Sequence, residues 1–239
     1  MKKKVILISG CSSGLGKDLS KYYQKNGFIV VGFGPNTKVK NKKNLFFKNV
    51  NLKSKSQINN FLSLIIKKYK KIDYFINNAG ISPAAFPALL NNFEFIEEVT
   101  KINIIGQIHL INEITKIMMK KKFGRIVNIS SMSVALNLEG TSLYTSSKAT
   151  IEKYLKVISK EISYKNNMNI TFNTLRVSMY KSKSFKELGE STIQKAKYRL
   201  AYKKVLKINE ILNIIAPLID NKNTALTGQI INLGLVDGN

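Results

Sequence analysis

The chain has 239 residues and a mass of 26.9 kDa, enough to bury a sizeable core without covalent staples. Its single cysteine, Cys11, excludes an intramolecular disulfide framework, and 44% hydrophobic with 22% charged residues excludes a disordered or collagen-like chain. The formal charge of +25 invites a search for an acidic partner. However, 36 lysines scattered along the chain against three arginines read as a solvated lysine surface, with no specific nucleic-acid site.

In chain order, Val5–Ser9 is a first strand; its apolar run after three lysines is too short for an export signal. Leu15–Asn26 reads as a helix stopped by Gly27, and Phe28–Phe33 and Leu45–Asn51 as the second and third strands. Ser56–Tyr69 is amphipathic, with Ile58, Phe61, Leu62, Ile65 and Ile66 on one side. Tyr74–Asn77 is a fourth strand, Ile96–Lys120 one long helix and Arg125–Ser130 a fifth strand. Tyr144–Tyr164 is a second long helix, Ile170–Val177 a sixth strand, Ile208–Ile219 a helix and Gln229–Leu233 a last strand. Ser178–Lys204 is polar, basic and weakly periodic, the profile of a substrate loop.

Strands alternating with helices of ten or more residues predict βαβ units. The fold class expected is therefore α/β, a doubly wound parallel sheet of about seven strands with helices on both faces. No apolar run reaches 18 residues, so no membrane-spanning helix is expected. His109 has no second histidine or cysteine at ligand spacing, so it reads as a helix-packing or interface residue and no metal site is expected.

The turn Ser9-Gly10-Cys11-Ser12-Ser13-Gly14-Leu15-Gly16 lies between a strand and a helix. Three glycines permit a tight turn and let a pyrophosphate approach the helix N-terminus, where free N–H groups favour negative charge. Cys11 is a small turn residue in this setting. Farther on, Tyr144 and Lys148 stand at i and i+4, on one helix face. A phenol is a poor base at neutral pH, and a neighbouring ammonium favours its ionised form. Ser131, at a strand end, is placed to hydrogen-bond a reacting carbonyl oxygen.

The spacing Gly-x-x-x-Gly-x-Gly, then Asn77-Asn78-Ala79-Gly80, Asn103-Ile104-Ile105-Gly106, Ser130-Ser131 and Tyr144-Thr145-Ser146-Ser147-Lys148 follow one another in register. In that order they resemble the short-chain dehydrogenase/reductase family, in particular members of the 3-oxoacyl-carrier-protein reductase kind. The resemblance covers nearly the whole chain. It implies one Rossmann-fold domain over residues 1–239 with a substrate loop at about 178–204, and NAD(P)-dependent hydride transfer to or from a carbonyl/alcohol substrate. Tyr144 is then the acid in reduction and the base in oxidation. Lys148 favours the phenolate and holds the nicotinamide ribose, Ser131 bonds the carbonyl oxygen, and Asn103 holds a proton-relaying water. The implied cofactor contacts are Gly10, Ser12, Ser13, Gly14, Leu15, Gly16, Gly34, Asn36, Asn51, Leu52, Asn78, Ala79, Gly80, Tyr144, Lys148 and Ser182.

A 3-oxoacyl thioester on an acidic carrier protein and a sugar or polyol ketone are both open as substrates. The resemblance also implies a cytoplasmic homodimer or homotetramer with no membrane partner. From other classes, a dinucleotide-sensing regulator without turnover is disfavoured by the intact Ser131, Tyr144 and Lys148 set. A nucleic-acid-binding protein would show steeply salt-dependent affinity.

NAD users commonly carry an acidic residue at the end of the second strand. Here that position is Gly34, followed by Asn36, Lys38 and Lys40, and no Asp or Glu occurs between Asp18 and Asp73. With no carboxylate to repel a 2′-phosphate, NADP(H) is expected over NAD(H). The chain departs from the family where Val177-Ser178 replaces Pro-Gly, where Asn51 replaces an Asp, and at Asn232-Leu233-Gly234-Leu235 near the C-terminus.

Overall fold

A computed structural model of the chain describes residues 3–35, 41, 44–82, 86–163, 167–180, 197, 200 and 203–234. Asn36, Lys38, Lys40 and Ser182, and most of the expected substrate loop, lie outside the described residues. The strands are β1 (Val5–Ser9), β2 (Ile29–Gly34), β3 (Leu45–Asn49), β4 (Tyr74–Asn77), β5 (Phe123–Ser131), β6 (Asn169–Val177) and β7 (Ile230–Leu233). They form one parallel sheet in the order β3-β2-β1-β4-β5-β6-β7. The order reverses between β1 and β4, and in a sheet of this kind the crevice above such a switch point receives ligands.

The helices are α1 (Gly14–Lys25), α2 (Lys55–Tyr69), α3 (Phe93–Thr100), α4 (Gln107–Lys121), α5 (Met132–Leu136), α6 (Ser142–Ser163) and α7 (Ile208–Leu218). Successive side chains of β1 go to opposite faces. Val5 and Leu7 join a core with residues of α2, α4 and α6, while Ile6 and Ile8 join one with residues of α1 and α7. This two-sided burial is why the strands read as continuous apolar runs. No helix among the described residues is long and apolar enough to cross a membrane.

The helices differ from expectation in two places. The single helix expected over Ile96–Lys120 begins at Phe93, where the Asn92 side chain accepts from the Phe95 N–H, and it is interrupted. Between α3 and α4, Lys101–Gly106 form a π-helical turn. Gly106 lies against the Leu52 carbonyl, so close that a Cβ would stand 2.3 Å from the oxygen. Asn103 is bonded to the Ile81 backbone. These tertiary contacts fit a widened turn, a form often found at functional sites. The periodicity also did not foretell α5, which Ser131 caps by accepting from the Ser133 N–H.

Arg125, near the start of β5, is fully buried. Its guanidinium donates to the carbonyls of Gly124, Asn169, Asp220 and Asn221 and lies 4.6 Å from the Phe123 ring centroid. Burial lowers its pKa from the ordinary arginine value, yet the four carbonyls satisfy the charge. It thereby ties β5, β6 and the chain after α7 together at the edge away from the switch-point crevice. Arg125→Met keeps much of the bulk but strands those carbonyls. We expect it to lower unfolding free energy by about 2–4 kcal/mol, at ~1–3 kcal/mol per unsatisfied group with partial relaxation. Chemical denaturation checks this; an unchanged midpoint would remove Arg125 from the stabilising set.

Candidate active site

The glycine turn is built at the C-terminal end of β1. Gly10 and Cys11 both donate their N–H to the Phe33 carbonyl on β2. Gly10 (φ +67°) and Gly14 (φ +53°) take left-handed backbone conformations that suit glycine. Gly16 is required for closeness instead, because a Cβ there would meet the Gly10 oxygen at 2.3 Å. The Ser13 hydroxyl makes no capping bond and the first turn of α1 holds no carboxylate. The leading N–H groups of α1 are thus left for an anion, as a pyrophosphate would need.

That turn forms one wall of a cleft of about 780 Å³, lined among others by Gly10, Ser12, Ser13, Gly14, Leu15, Gly34, Asn51, Leu52, Asn78, Ala79 and Gly80. All eleven were singled out in the sequence as cofactor contacts. Gly16 packs behind the turn, against Gly10 and Asn78. The cleft extends past residues the sequence did not point to, including Val50, Lys53, Gln57, Glu98 and Ile102. The residues present fit a dinucleotide: an uncapped helix end, glycines where a side chain would fill the space, and walls part polar and part apolar.

The opposite wall is braced by Ser9. Its hydroxyl accepts from the N–H groups of Asn78 and Ala79 and lies 3.3 Å from the Asn77 side-chain oxygen. Asn78 returns its side-chain amide to the carbonyls of Ser9 and Gly10. Gln107 donates to the Ala79 carbonyl at 2.6 Å. Ser9 and Gln107 were not foreseen; the signal for Gln107 was its place one turn after Asn103, on the same face.

Gly80, in the cleft's lining, stands between Asn103 and Lys148. A Cβ on it would lie 3.2 Å from Asn103 Oδ1 and 3.6 Å from Lys148 Nζ. Asn103 accepts from the Ile81 N–H and donates to the Ile81 carbonyl and Ser147 Oγ. Ser147 in turn donates to the Tyr144 carbonyl. Lys148 Nζ donates to the Ile129 carbonyl at 3.0 Å and lies 5.8 Å from the Tyr144 ring centroid. Ser131 ends the same strand two residues on, and its Oγ accepts from both the N–H and the hydroxyl of Ser133. The four residues expected to do chemistry thus come from the π turn, the end of β5 and the first two turns of α6.

Cys11 is buried and its thiol donates to the Phe33 carbonyl; burial pushes it up to about 12, far from a reactive thiolate. His109 Nε2 lies 2.8 Å from the Asn59 side-chain oxygen, joining α4 to α2 within the chain. Val177 pairs with Leu233, and Ser178 donates its N–H to the Leu233 carbonyl. Gly234 (φ +78°) lies so close to Ser178 that a Cβ would sit 2.3 Å from its hydroxyl. Two of the departures from the family pattern therefore pack on each other. Tyr180 donates to Asp18 on α1 at 2.6 Å, and burial raises its pKa above the ordinary tyrosine value.

A family profile described as short chain dehydrogenase matches residues 4–192. The chain is 30% identical over 239 residues to the 3-oxoacyl-[acyl-carrier-protein] reductase of Buchnera aphidicola subsp. Schizaphis graminum, covering 98% of this chain and 96% of that one. Among solved structures it is similar to ElxO with NADP bound (TM-score 0.86, 23% identity, 97% of each chain covered). It is also similar to the 3-ketoacyl-(acyl-carrier-protein) reductase of Brucella melitensis complexed with NADH (TM-score 0.85, 18% identity, 96% of each chain covered).

Proposed function

This chain belongs to the short-chain dehydrogenase family, and from that premise we propose that it uses NADPH to reduce a 3-oxoacyl thioester borne on an acidic carrier protein. That it is a nicotinamide-dependent oxidoreductase follows from the family. The substrate rests on the named activity of its relatives, and the charge of +25 suits an acidic carrier. The observation that carries the reading is the meeting of Asn103 and Lys148 at Gly80, with the Tyr144 ring beside the ammonium.

A bound nicotinamide supplies the hydride; the chain supplies orientation and the proton. Tyr144 gives its hydroxyl proton to the carbonyl oxygen in reduction and takes it back in oxidation. Ser131 accepts two hydrogen bonds from Ser133, which leaves its own hydrogen for the same oxygen. Lys148 spends one N–H on the Ile129 carbonyl, leaving two for a ribose and for charge near the phenol. Both amide hydrogens of Asn103 are committed, so a proton-relaying water would bind its oxygen atoms.

The test is NADPH consumption by the purified protein with 3-oxoacyl thioesters, free and carrier-linked, beside sugar and polyol ketones. Faster turnover of the thioesters is expected; turnover of the sugar ketones alone would overturn the substrate. The NADP preference has its own check. Gly34 faces Ser12, with a Cβ 3.0 Å from the serine hydroxyl, so Gly34→Asp places a carboxylate at the adenosine end. The ratio of kcat/KM for NADPH over NADH should fall about tenfold, the worth of ~1.4 kcal/mol. A wild-type protein that uses NADH faster would refute the preference. A cytoplasmic homodimer or homotetramer completes the reading: Ile96, Ile105 and Val157 are exposed on the helices from Phe93 to Lys121 and on α6. Sedimentation velocity decides the assembly.

A further inference from the structure

A carboxylate, a guanidinium and a hydroxyl meet behind the reacting groups, where the family resemblance pointed to nothing. Tyr144, Lys148 and Glu152 stand at i, i+4 and i+8, one stripe of α6. At 1.5 Å rise per residue, Glu152 lies about 6 Å along the axis beyond Lys148. Its side chain is only 4% exposed. Ser130 donates to Glu152 Oε1 at 2.5 Å. Arg176 closes the pair, with its Nε 3.0 and 3.1 Å from the two carboxylate oxygens and an Nη2–Oε2 bond of 2.8 Å. Arg176 is the register partner of Ser130, one residue before the match of Ser131 with Val177.

Three elements are thus fastened at one point: α6 through Glu152, β5 through Ser130 and β6 through Arg176. Lys148 makes a second tie from the same helix face to the same strand, at the Ile129 carbonyl. Two anchors one helical turn apart, on consecutive residues of β5, set both the height and the rotation of α6 against that strand. Tyr144 is on α6 and Ser131 is the next residue of β5. The relative placement of phenol and hydroxyl is therefore set by these ties. A bidentate Arg–carboxylate pair is a directional way to hold it, and its charges cancel. A buried pair of this kind contributes more to geometry than to stability, since desolvation offsets most of its attraction.

We propose that Glu152, clamped by Arg176 and Ser130, is a positioning residue that registers Tyr144 and Lys148 against Ser131, and that its pairing with Arg176 keeps a net charge from acting on the phenol. This rests on the acid–base role given to Tyr144 above. Among the described residues, Arg176 is the charged group bonded to Glu152 from the packed strands. On its own helix Lys148 and Lys156 stand one turn to either side. Glu152→Gln keeps the shape and removes the negative charge; the remaining guanidinium favours the phenolate. Arg176→Gln leaves a carboxylate that disfavours it.

The experiment measures kcat and KM against pH for the wild type, Glu152→Gln, Arg176→Gln and the double variant, with NADPH affinity by fluorescence titration. Both single variants should lose about tenfold or more in kcat with NADPH affinity kept. The pH–rate limb that titrates with Tyr144 should move about half a unit down in Glu152→Gln and a similar amount up in Arg176→Gln. The double variant should return the limb to the wild-type position while kcat stays low. Limbs that coincide, or that move in the same direction, overturn the proposal. If Arg176→Gln does not fold, the downward shift in Glu152→Gln and its reversal in the double variant decide alone. A wild type without turnover, or a Tyr144→Phe variant with full turnover, refutes the role of Tyr144 itself, an outcome distinct from unshifted limbs in an active, Tyr144-dependent enzyme.

Discussion

Tyr144→Phe is expected to lower kcat by about 10²–10⁴-fold, the usual worth of a positioned general acid–base group. The change is confined to one hydroxyl. The ring that lies 5.8 Å from Lys148 Nζ stays, as do the Lys148 bond to Ile129 and the Ser147 bond to the Tyr144 carbonyl. The cleft is lined by the turns after β1, β2, β3 and β4 and by residues of α1, α2 and α3, with Tyr144 outside that lining, so NADPH binding should hold within about twofold. Stopped-flow single turnover and fluorescence titration separate the two quantities. Undiminished turnover would take Tyr144 out of the chemistry; lost cofactor binding would make it a binding residue.

The second large effect is on the other wall of the crevice. Gly16→Ala brings a Cβ within 2.3 Å of the Gly10 oxygen and 2.6 Å of Asn78 Nδ2. The first contact is backbone, so no side-chain rotation relieves it; α1 must draw back from the turn. Overpacking of this kind costs ~1–3 kcal/mol, which becomes a roughly 10- to 100-fold loss in NADPH affinity if it distorts the anion cradle. Gly14 is the control. A Cβ there meets nothing within 4 Å, and the variant must bear only its left-handed φ of +53°, about 1 kcal/mol. Calorimetric titration of NADPH into both variants should rank Gly16→Ala as the weaker binder. Equal losses would show that backbone conformation, and not close approach, governs the turn.

Much of the site was legible because its motifs are local. A glycine turn is recognised by what backbone it permits, and Gly10 and Gly14 do take positive φ. Tyr144 and Lys148 are one helical turn apart, so their shared face follows from the period of the helix alone. What escaped notice was held by partners far away in the chain. Ser9 reads as an ordinary strand end until Asn78 and Ala79, about seventy residues on, point their N–H groups at it. Ser130 reads as no more than a strand end, and Glu152 carries no local signal, until β5, β6 and α6 bring them together.

By itself the sequence determined the alternation of strand and helix, the two-sided burial of the parallel strands, the glycine turn ahead of α1 and the phenol–ammonium stripe. Each depends on periodicity or on the conformational range of single residues within a few positions. Only the tertiary structure decided the π turn that carries Asn103 to Gly80, the four carbonyls around Arg125, and the clamp of Glu152 by Arg176. Apart from the Gly124 carbonyl, which is Arg125's chain neighbour, those contacts join residues 22 to 96 positions apart. Which distant groups meet is set by strand order and register, and a buried polar group, unable to turn back to water, has to find its partner among whatever the sheet brings alongside.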